Sequence, residues 1–260
     1  MDRYDNLMSY HQAKHRVFQG CKAVVINGDD ALTNPLVPDT VTQTSFSLGD
    51  PDVGQFGLRE EAGTTWMVQG LKPIMAVNKL AMFGRHNVAN ALAALALGQA
   101  VGLPMDAMIK TLTVFTGLSH RCEWVADIDG VAYINDSKGT NIGATVAALE
   151  GLGPALTGKI MLIAGGLGKG ADFSELVAPL SRYGKQVVLI GRDANDIEMA
   201  LVDKVRCIHA QDMQSAVSIA HAQAVSGDLV LLSPACASFD AYANFQARGD
   251  HFSALVRALA

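Results

Sequence analysis

No apolar run in this chain approaches the roughly 18 residues that a bilayer crossing needs, and the opening Met1-Asp2-Arg3-Tyr4-Asp5-Asn6 has no apolar signal core. Neither a membrane span nor a secretory leader is expected, and the chain reads as cytoplasmic. Cysteine is scarce: Cys21, Cys122, Cys207 and Cys236 lie far apart, with no C-x-x-C pair and no zinc-type His/Cys spacing. Buried, reduced thiols are expected rather than a disulfide frame, a redox pair or a metal site. Charge of one sign is also missing: 20 Lys and Arg stand against 25 Asp and Glu, a net charge of -5, so there is no basic footprint for nucleic acid. Internal repeats and low-complexity segments are absent. With half of its 260 residues hydrophobic, the chain is long enough to bury the core of one large or two small domains.

Taken in order, residues 1–20 carry Leu7, Tyr10, Lys14 and Val17 at helical spacing and predict one amphipathic helix. Cys21 to Ile26 reads as a short strand closed by Asn27-Gly28-Asp29-Asp30, and residues 41–80 alternate between turn signals in the manner of a small antiparallel sheet. The run Ala91 to Val101 predicts a buried helix that Asn87 and Asn90 begin, and a second helix follows from Pro104 to Phe115. The helical pattern stops at Thr116-Gly117-Leu118, the best candidate domain boundary. A hairpin around Asp127-Ile128-Asp129-Gly130 comes next, and strands then alternate with helices at βαβ length. The expected strands are 160–164, 186–190, 205–208 and 228–232, and the last helix spans about 240–259. This is the pattern of a parallel, doubly wound sheet, an α/β fold.

Chemistry-bearing residues collect where the predicted strands end. Ile134-Asn135-Asp136-Ser137-Lys138-Gly139-Thr140-Asn141 is a polar strand-to-helix junction, with Thr140 or Asn141 placed to cap the helix. Taken alone it is as readily a turn with a solvated lysine as a ligand site. Gly165-Gly166-Leu167-Gly168-Lys169-Gly170 is no phosphate-binding P-loop, because Gly170 stands where that motif has Ser or Thr, and no clean G-x-G-x-x-G either. It presents one lysine to the strand edge, suited to a carboxylate or phosphate, or else it is a plain glycine-rich turn. Ser233-Pro234-Ala235-Cys236-Ala237-Ser238-Phe239-Asp240 is a third such loop, with Ser238 expected near a helix N-terminus. His120-Arg121 sits at the proposed boundary, where a cleft would favour a ligand, although an isolated pair of this kind is more often plain surface. Lys14 is likewise more often a snorkelling lysine than a functional one.

Together these segments, with Asp2-Arg3-Tyr4, Ala13-Lys14, Gly84-Arg85-His86-Asn87-Val88-Ala89-Asn90-Ala91, Thr116 to Arg121, Asn244-Phe245 and Arg248-Gly249, resemble the Mur ligases of peptidoglycan synthesis, over nearly the whole chain and in the right order. Within that family the likeness is to the branch that adds D-glutamate. The resemblance implies that residues 1–117 are the later part of a central ATP-binding domain and residues 118–260 a C-terminal Rossmann-like domain, mainly parallel with a hairpin edge. It implies ATP-driven amide formation between UDP-N-acetylmuramoyl-L-alanine and D-glutamate with Mg²⁺, in a complete enzyme that is a monomer and engages neither nucleic acid nor membrane. Lys14 resembles the lysine that becomes carbamylated and orients Mg²⁺. Asn87, His120, Arg121, Asp136 and Lys138 resemble nucleotide contacts, with Lys14, His120 and Lys138 carrying catalysis. Thr140, Lys169, Ser238, Phe239 and Phe245 resemble the D-glutamate pocket. The family's UDP-binding domain and glycine-rich ATP loop have no counterpart in these residues, so the chain is expected to be a truncated form that does not turn over alone. The alternatives are a non-catalytic ligand-binding fragment and a related amino-acid ligase such as folylpolyglutamate synthase.

Overall fold

A computed structural model describes Tyr4, residues 6–82 and residues 84–259. The Asp2-Arg3 part of the first motif lies outside the described residues. Two compact units divide the chain, residues 1–82 with 87–115 and residues 83–86 with 116–260.

The first unit opens with α1 (Leu7–His15), whose first turn is capped by the Asn6 side chain accepting from Ser9 N–H at 2.8 Å. A 3-10 turn (Arg16–Phe18) ends it. The single helix expected over residues 1–20 is therefore shorter, and its expected apolar face is not buried: Val17 is 74% exposed. The sheet contains β1 (Ala23–Asn27), β2 (Thr42–Phe46), β3 (Phe56–Glu61), β4 (Thr64–Gln69) and β5 (Lys72–Ala76) in that spatial order. It is mixed rather than purely antiparallel. β1 and β2 run parallel, β2 meets β3 in parallel at Phe46 and Phe56, and only the hairpins β3–β4 and β4–β5 are antiparallel. Against it lie α2 (Arg85–Ala100) and α3 (Met105–Leu112). Val88, Ala91, Leu92, Leu95 and Ala96 recur at helical spacing on α2 and pack with Phe56, Met67 and Met75 of the strands. Gly98 lets α3 close in, since a Cβ there would stand 2.2 Å from Met108 Sδ.

The second unit starts with a hairpin of β6 (Glu123–Ile128) and β7 (Val131–Asn135). Asp129 and Gly130 turn it with φ of 53° and 77°, the paired positive values of a two-residue Asp-Gly loop. Then follow α4 (Ile142–Leu152), β8 (Ile160–Gly165), a 3-10 turn (Phe173–Leu176) running into α5 (Val177–Tyr183), and β9 (Gly184–Ile190). α6 (Ala194–Leu201), β10 (Cys207–His209), α7 (Met213–Gln223), β11 (Leu229–Leu232) and α8 (Phe245–Arg257) complete it. The order is β10-β9-β8-β11-β7-β6, all parallel except the β6 edge. Successive residues of β8 serve opposite faces: Ile160, Leu162 and Ala164 meet α4, α5 and α6, while Met161 and Ile163 meet α7 and α8. Every residue of β8 and β11 is buried, as strands covered by helices on both faces must be.

The last helix begins at Phe245 rather than near residue 240, because Asn244 caps it by accepting from Ala247 N–H at 2.8 Å. Ser238 consequently sits in the preceding turn, not at a helix N-terminus, and its carbonyl accepts from Tyr242 N–H at 2.8 Å. Of the thiols, Cys122 and Cys236 are buried but Cys21 and Cys207 only half so, and all four are free.

Candidate functional site

The carboxyl end of β7 carries the densest set of buried polar groups. Asn135 is fully buried, and its Oδ1 accepts from Ser137 N–H at 3.1 Å. That bond fixes the amide orientation, so Nδ2 donates toward Gly249 O and Ser253 Oγ, both at 3.0 Å, and lies 3.1 Å from His120 Nδ1. Asp136 is bound at both carboxylate oxygens. Oδ1 accepts from Cys122 N–H at 3.2 Å and Oδ2 from the Ser233 hydroxyl at 2.7 Å. Burial pushes its carboxyl up to about 6, against those hydrogen bonds and the positive charge of Arg121. Burial and the neighbouring Asp136 charge push the Cys122 thiol up, and burial raises Cys236 to about 12, which leaves neither as a thiolate nucleophile at neutral pH.

His120 holds a left-handed backbone, with φ of 64°. Its N–H donates to Glu123 Oε2 at 2.9 Å and its carbonyl accepts from Lys138 N–H at 3.0 Å, so the two predicted segments are stitched together. With Nδ1 facing the Asn135 amide donor, the ring proton belongs on Nε2, which faces Asp250 Oδ1 at 3.7 Å. Gly249 is required here, because a Cβ would stand 2.3 Å from His120 Nδ1. The Phe245 ring packs edge-on against His120 at 5.9 Å, and Lys138 Nζ lies over the same ring, 4.2 Å from its centroid. Arg121, next to them in sequence, is exposed.

Arg248 underpins this cluster from α8. It is 1% exposed, and it donates from Nε to Ser137 Oγ at 3.0 Å, from Nη2 to Ser137 O at 2.9 Å and from Nη1 to Cys236 O at 3.1 Å. Burial lowers it to about 10, so it stays a cation at neutral pH. Ser137 Oγ in turn donates to Phe245 O at 2.8 Å. One guanidinium thus ties the loop after β7, the loop after β11 and the start of α8 together.

The structure brings His120, Asp136, Lys138 and Phe245 into one linked set, with Thr140 close behind, its N–H donating to Lys138 O at 2.8 Å. Asn141, not Thr140, caps α4, accepting from Ala144 N–H at 2.9 Å. The loop bearing Lys169 is held separately: Gly168 N–H donates to Asp193 Oδ2 at 2.7 Å, and Leu167 exchanges backbone hydrogen bonds with Ala237 at 2.9 and 3.0 Å. That exchange sets the Lys169 loop beside Ser238, which is buried, and Phe239, which is 67% exposed. In the other unit Lys14 is exposed, its Nζ 5.2 Å from the Tyr10 ring centroid, and Asn87 Oδ1 accepts from Asn90 Nδ2 at 3.3 Å.

Residues 1–98 match the family described as Mur ligase, middle domain, and residues 120–236 match Mur ligase, glutamate ligase domain. The chain belongs to the Mur ligase family. Among curated Mur ligases it is 52% identical over 260 residues to the UDP-N-acetylmuramoylalanine--D-glutamate ligase of Pseudomonas fluorescens and 51% identical over 263 residues to that of Acinetobacter baylyi. These alignments take in 100% of this chain but 58% and 59% of the relatives, so the chain spans a little over half the length of the proteins it matches. The fold is shared with the UDP-N-acetylmuramate-alanine ligase of Thermotoga maritima, with a TM-score of 0.64 at 14% identity, covering 98% of this chain and 56% of that one. It is shared also with a MurF ligase from Thermotoga maritima solved with ADP, with a TM-score of 0.64 at 16% identity, covering 93% of this chain and 55% of that one.

Sequence reading assigned no role to Asn135, Ser137 or Arg248. The available signal was spacing: Arg248 falls three residues after Phe245 on one helical face, which is the position from which a long side chain reaches back over the first turn of α8.

Proposed function

We propose that this chain forms the amino-acid domain and the later part of the ATP-binding domain of a ligase that joins D-glutamate to UDP-N-acetylmuramoyl-L-alanine. The observation that carries the reading is the 52% identity, across the whole chain, to relatives that bear that activity in their names. In the proposed reaction a carboxylate oxygen of the UDP-linked alanine attacks the γ-phosphorus of ATP and ADP leaves. The D-glutamate nitrogen then attacks the acyl phosphate carbon, phosphate departs, and the nitrogen loses a proton. A carboxylate is a poor electrophile at neutral pH, so most of the catalysis lies in positioning and charge neutralisation. Lys138, steadied on the Phe245 ring, and exposed Arg121 supply positive charge to the nucleotide phosphates. Asp136 holds the loop that carries Lys138 and offers an acceptor to the ribose. Asn87 contacts the adenine. Thr140, Lys169, Ser238, Phe239 and Phe245 receive D-glutamate, with Lys169 and a hydroxyl meeting its side-chain carboxylate. His120, which carries catalysis on this reading, is enclosed by Asn135, Gly249 and Phe245 and keeps Nε2 as its outward atom.

Mg²⁺ belongs to this reading as the companion ion of the nucleotide, with Lys14 contributing through a carbamate. The described residues contain no group of three His, Cys, Asp or Glu able to hold a metal, so no step is routed through it. No described helix is long and apolar enough to cross a membrane. The complete enzyme on this reading is a cytoplasmic monomer acting on small molecules.

The test is turnover. A protein of the relatives' full length containing this chain should release ADP and phosphate with the amide product when given ATP, UDP-N-acetylmuramoyl-L-alanine and D-glutamate, and should discriminate against other amino acids. A preference for another amino acid would overturn the assignment. The 260 residues contain no G-x-x-x-x-G-K-[ST] segment, so the chain alone should not turn over. ADP formation by the isolated chain would show that such a loop is dispensable.

A further inference from the structure

A cavity of about 310 Å³ opens at the carboxyl ends of β8, β9 and β10, on the face that carries α7 and α8. It is lined by Gly165, Gly166, Ile190 and Gly191 from the strand ends, by Gln211, Asp212 and Met213 at the start of α7, and by Asp240, Ala241, Tyr242, Arg248 and His251. None of the residues proposed above for the nucleotide or D-glutamate lines it.

The topology gives this place a meaning. The order β10-β9-β8-β11 puts the first of these parallel strands beside the last, with the chain leaving β8 for α5 on one face and leaving β11 for α8 on the other. That is a topological switch point, where open parallel sheets bind ligands in the crevice beyond their carboxyl ends. Here the crevice is half closed, because the Leu167 and Ala237 backbones bond across it. What stays open is the half over β8, β9 and β10.

Its chemistry is selective. The floor is bare main chain: Gly165, Gly166 and Gly191 have φ of 124°, 128° and 78°, and a Cβ at Gly191 would stand 2.4 Å from Asp240 Oδ2 and 2.8 Å from Gly166 Cα. A flat ring can lie on such a ledge, beside Ile190, Met213 and Tyr242. Two exposed carboxylates stand at the rim. Asp212 Oδ1 is taken by Ser215 at 2.8 Å and Asp240 Oδ2 by Arg192 N–H at 3.0 Å, which leaves one oxygen of each as an acceptor for hydroxyl groups. The phosphate-binding function of such a loop is cancelled, since Gly168 N–H already donates to Asp193. In the wall Arg248 donates to neutral oxygens of Ser137 and Cys236 and so sets a buried positive charge beside the place an electron-rich ring would take. A ligand with a flat electron-rich ring, vicinal hydroxyls and no phosphate fits all of these features.

We propose that this cavity is a nucleoside site, separate from the nucleotide contacts of the ligase reading, that takes a purine nucleoside by its ring on the glycine ledge and its ribose hydroxyls on Asp212 and Asp240. The proposal stands on the cavity and does not require the ligase assignment.

The experiment is a ¹H–¹⁵N titration of the 260-residue chain with adenosine, AMP and ADP, repeated on Ala241→Trp, which fills the cavity from an exposed turn, and on Lys138→Ala. Adenosine should move the amides of residues 165–166, 190–191, 211–213 and 240–242. Affinity read at these amides should fall from adenosine to AMP to ADP, as each added negative charge meets Asp212 and Asp240. Ala241→Trp should weaken adenosine at least about tenfold, a change of roughly 1.4 kcal/mol, with Lys138→Ala leaving it unchanged. The proposal is overturned if adenosine shifts none of these amides at millimolar concentration, if ADP moves these same amides at lower concentration than adenosine does, or if Ala241→Trp binds adenosine as the unmodified chain does.

Discussion

Every buried polar or charged side chain among the described residues, from His120 to Ser253, belongs to the unit built on the six-stranded sheet, whereas the five-stranded unit buries none. The core of that first unit, from Phe56 to Leu112, is apolar, and its two candidate residues differ from those of the second unit in setting: Lys14 is exposed and Asn87 lies at the start of α2. Burying a polar group costs free energy unless it finds partners, so a cluster such as Asn135, Asp136, Ser137, Ser233 and Arg248 destabilises the fold unless its bonds are complete. In this chain those groups are joined by side-chain hydrogen bonds of 2.7 to 3.1 Å, apart from the 3.2 Å contact of Asp136 with Cys122 N–H. The second unit therefore arranges its strand-end side chains by its own folding, whereas in the first Lys14 stands exposed beside the Tyr10 ring and Asn87 accepts from Asn90 Nδ2 at the start of α2.

That contrast can be broken at several points. The largest effect is expected from Lys138→Ala in a full-length ligase carrying this chain, where removing the charge steadied on Phe245 should cut turnover by roughly 10²–10³ with little loss of stability. Steady-state kinetics beside urea unfolding checks both, and near-normal turnover would remove Lys138 from the site. Arg248→Ala removes the donors to Ser137 Oγ, Ser137 O and Cys236 O and should destabilise the second unit by about 3 kcal/mol, read from its unfolding midpoint. Arg248→Lys should recover only a minor part, because one ammonium cannot reach three acceptors. Asn141→Ala removes the cap of α4 and should cost about 1 kcal/mol in the same assay. Val17→Ser, on the exposed side of the first unit, should change stability by less than about 0.5 kcal/mol, and a larger loss would mean that this face is covered in the free chain.

Much of the second unit was legible in the sequence because its signals are local. Apolar runs of strand length, the Asp129-Gly130 turn and the polar Thr140-Asn141 start of α4 each mark an element without reference to anything distant. What was not legible depends on side chains that meet only after folding. Arg248 reaches Ser137 across 111 positions and Ser233 reaches Asp136 across 97, and no periodicity records such a pairing. The late start of α8 has the same origin. Residues 240–244 are compatible with helix, but Asp240 is drawn to Arg192 N–H and Asn244 to the cap. In the first unit, alternation could not tell parallel from antiparallel pairing, since both present one face to the core, and the sheet proved mixed.

The most direct test of a strand edge held together at a cost is the ionisation of Asp136. Its carboxyl is raised in the folded chain above an ordinary carboxylate near 3.9, so the folded state binds the extra proton. The penalty is absent below the unfolded value, grows as pH rises through the window from about 4 to about 6, and is complete above it, amounting to roughly 2–3 kcal/mol. Asp136→Asn keeps the shape and removes that penalty, so urea unfolding should find the variant more stable than the unmodified chain at pH 8 and not at pH 4, with a ¹³C carboxyl titration placing Asp136 near 6. A titration midpoint near 4, with equal effects of the substitution at both pH values, would contradict the buried, fold-imposed network.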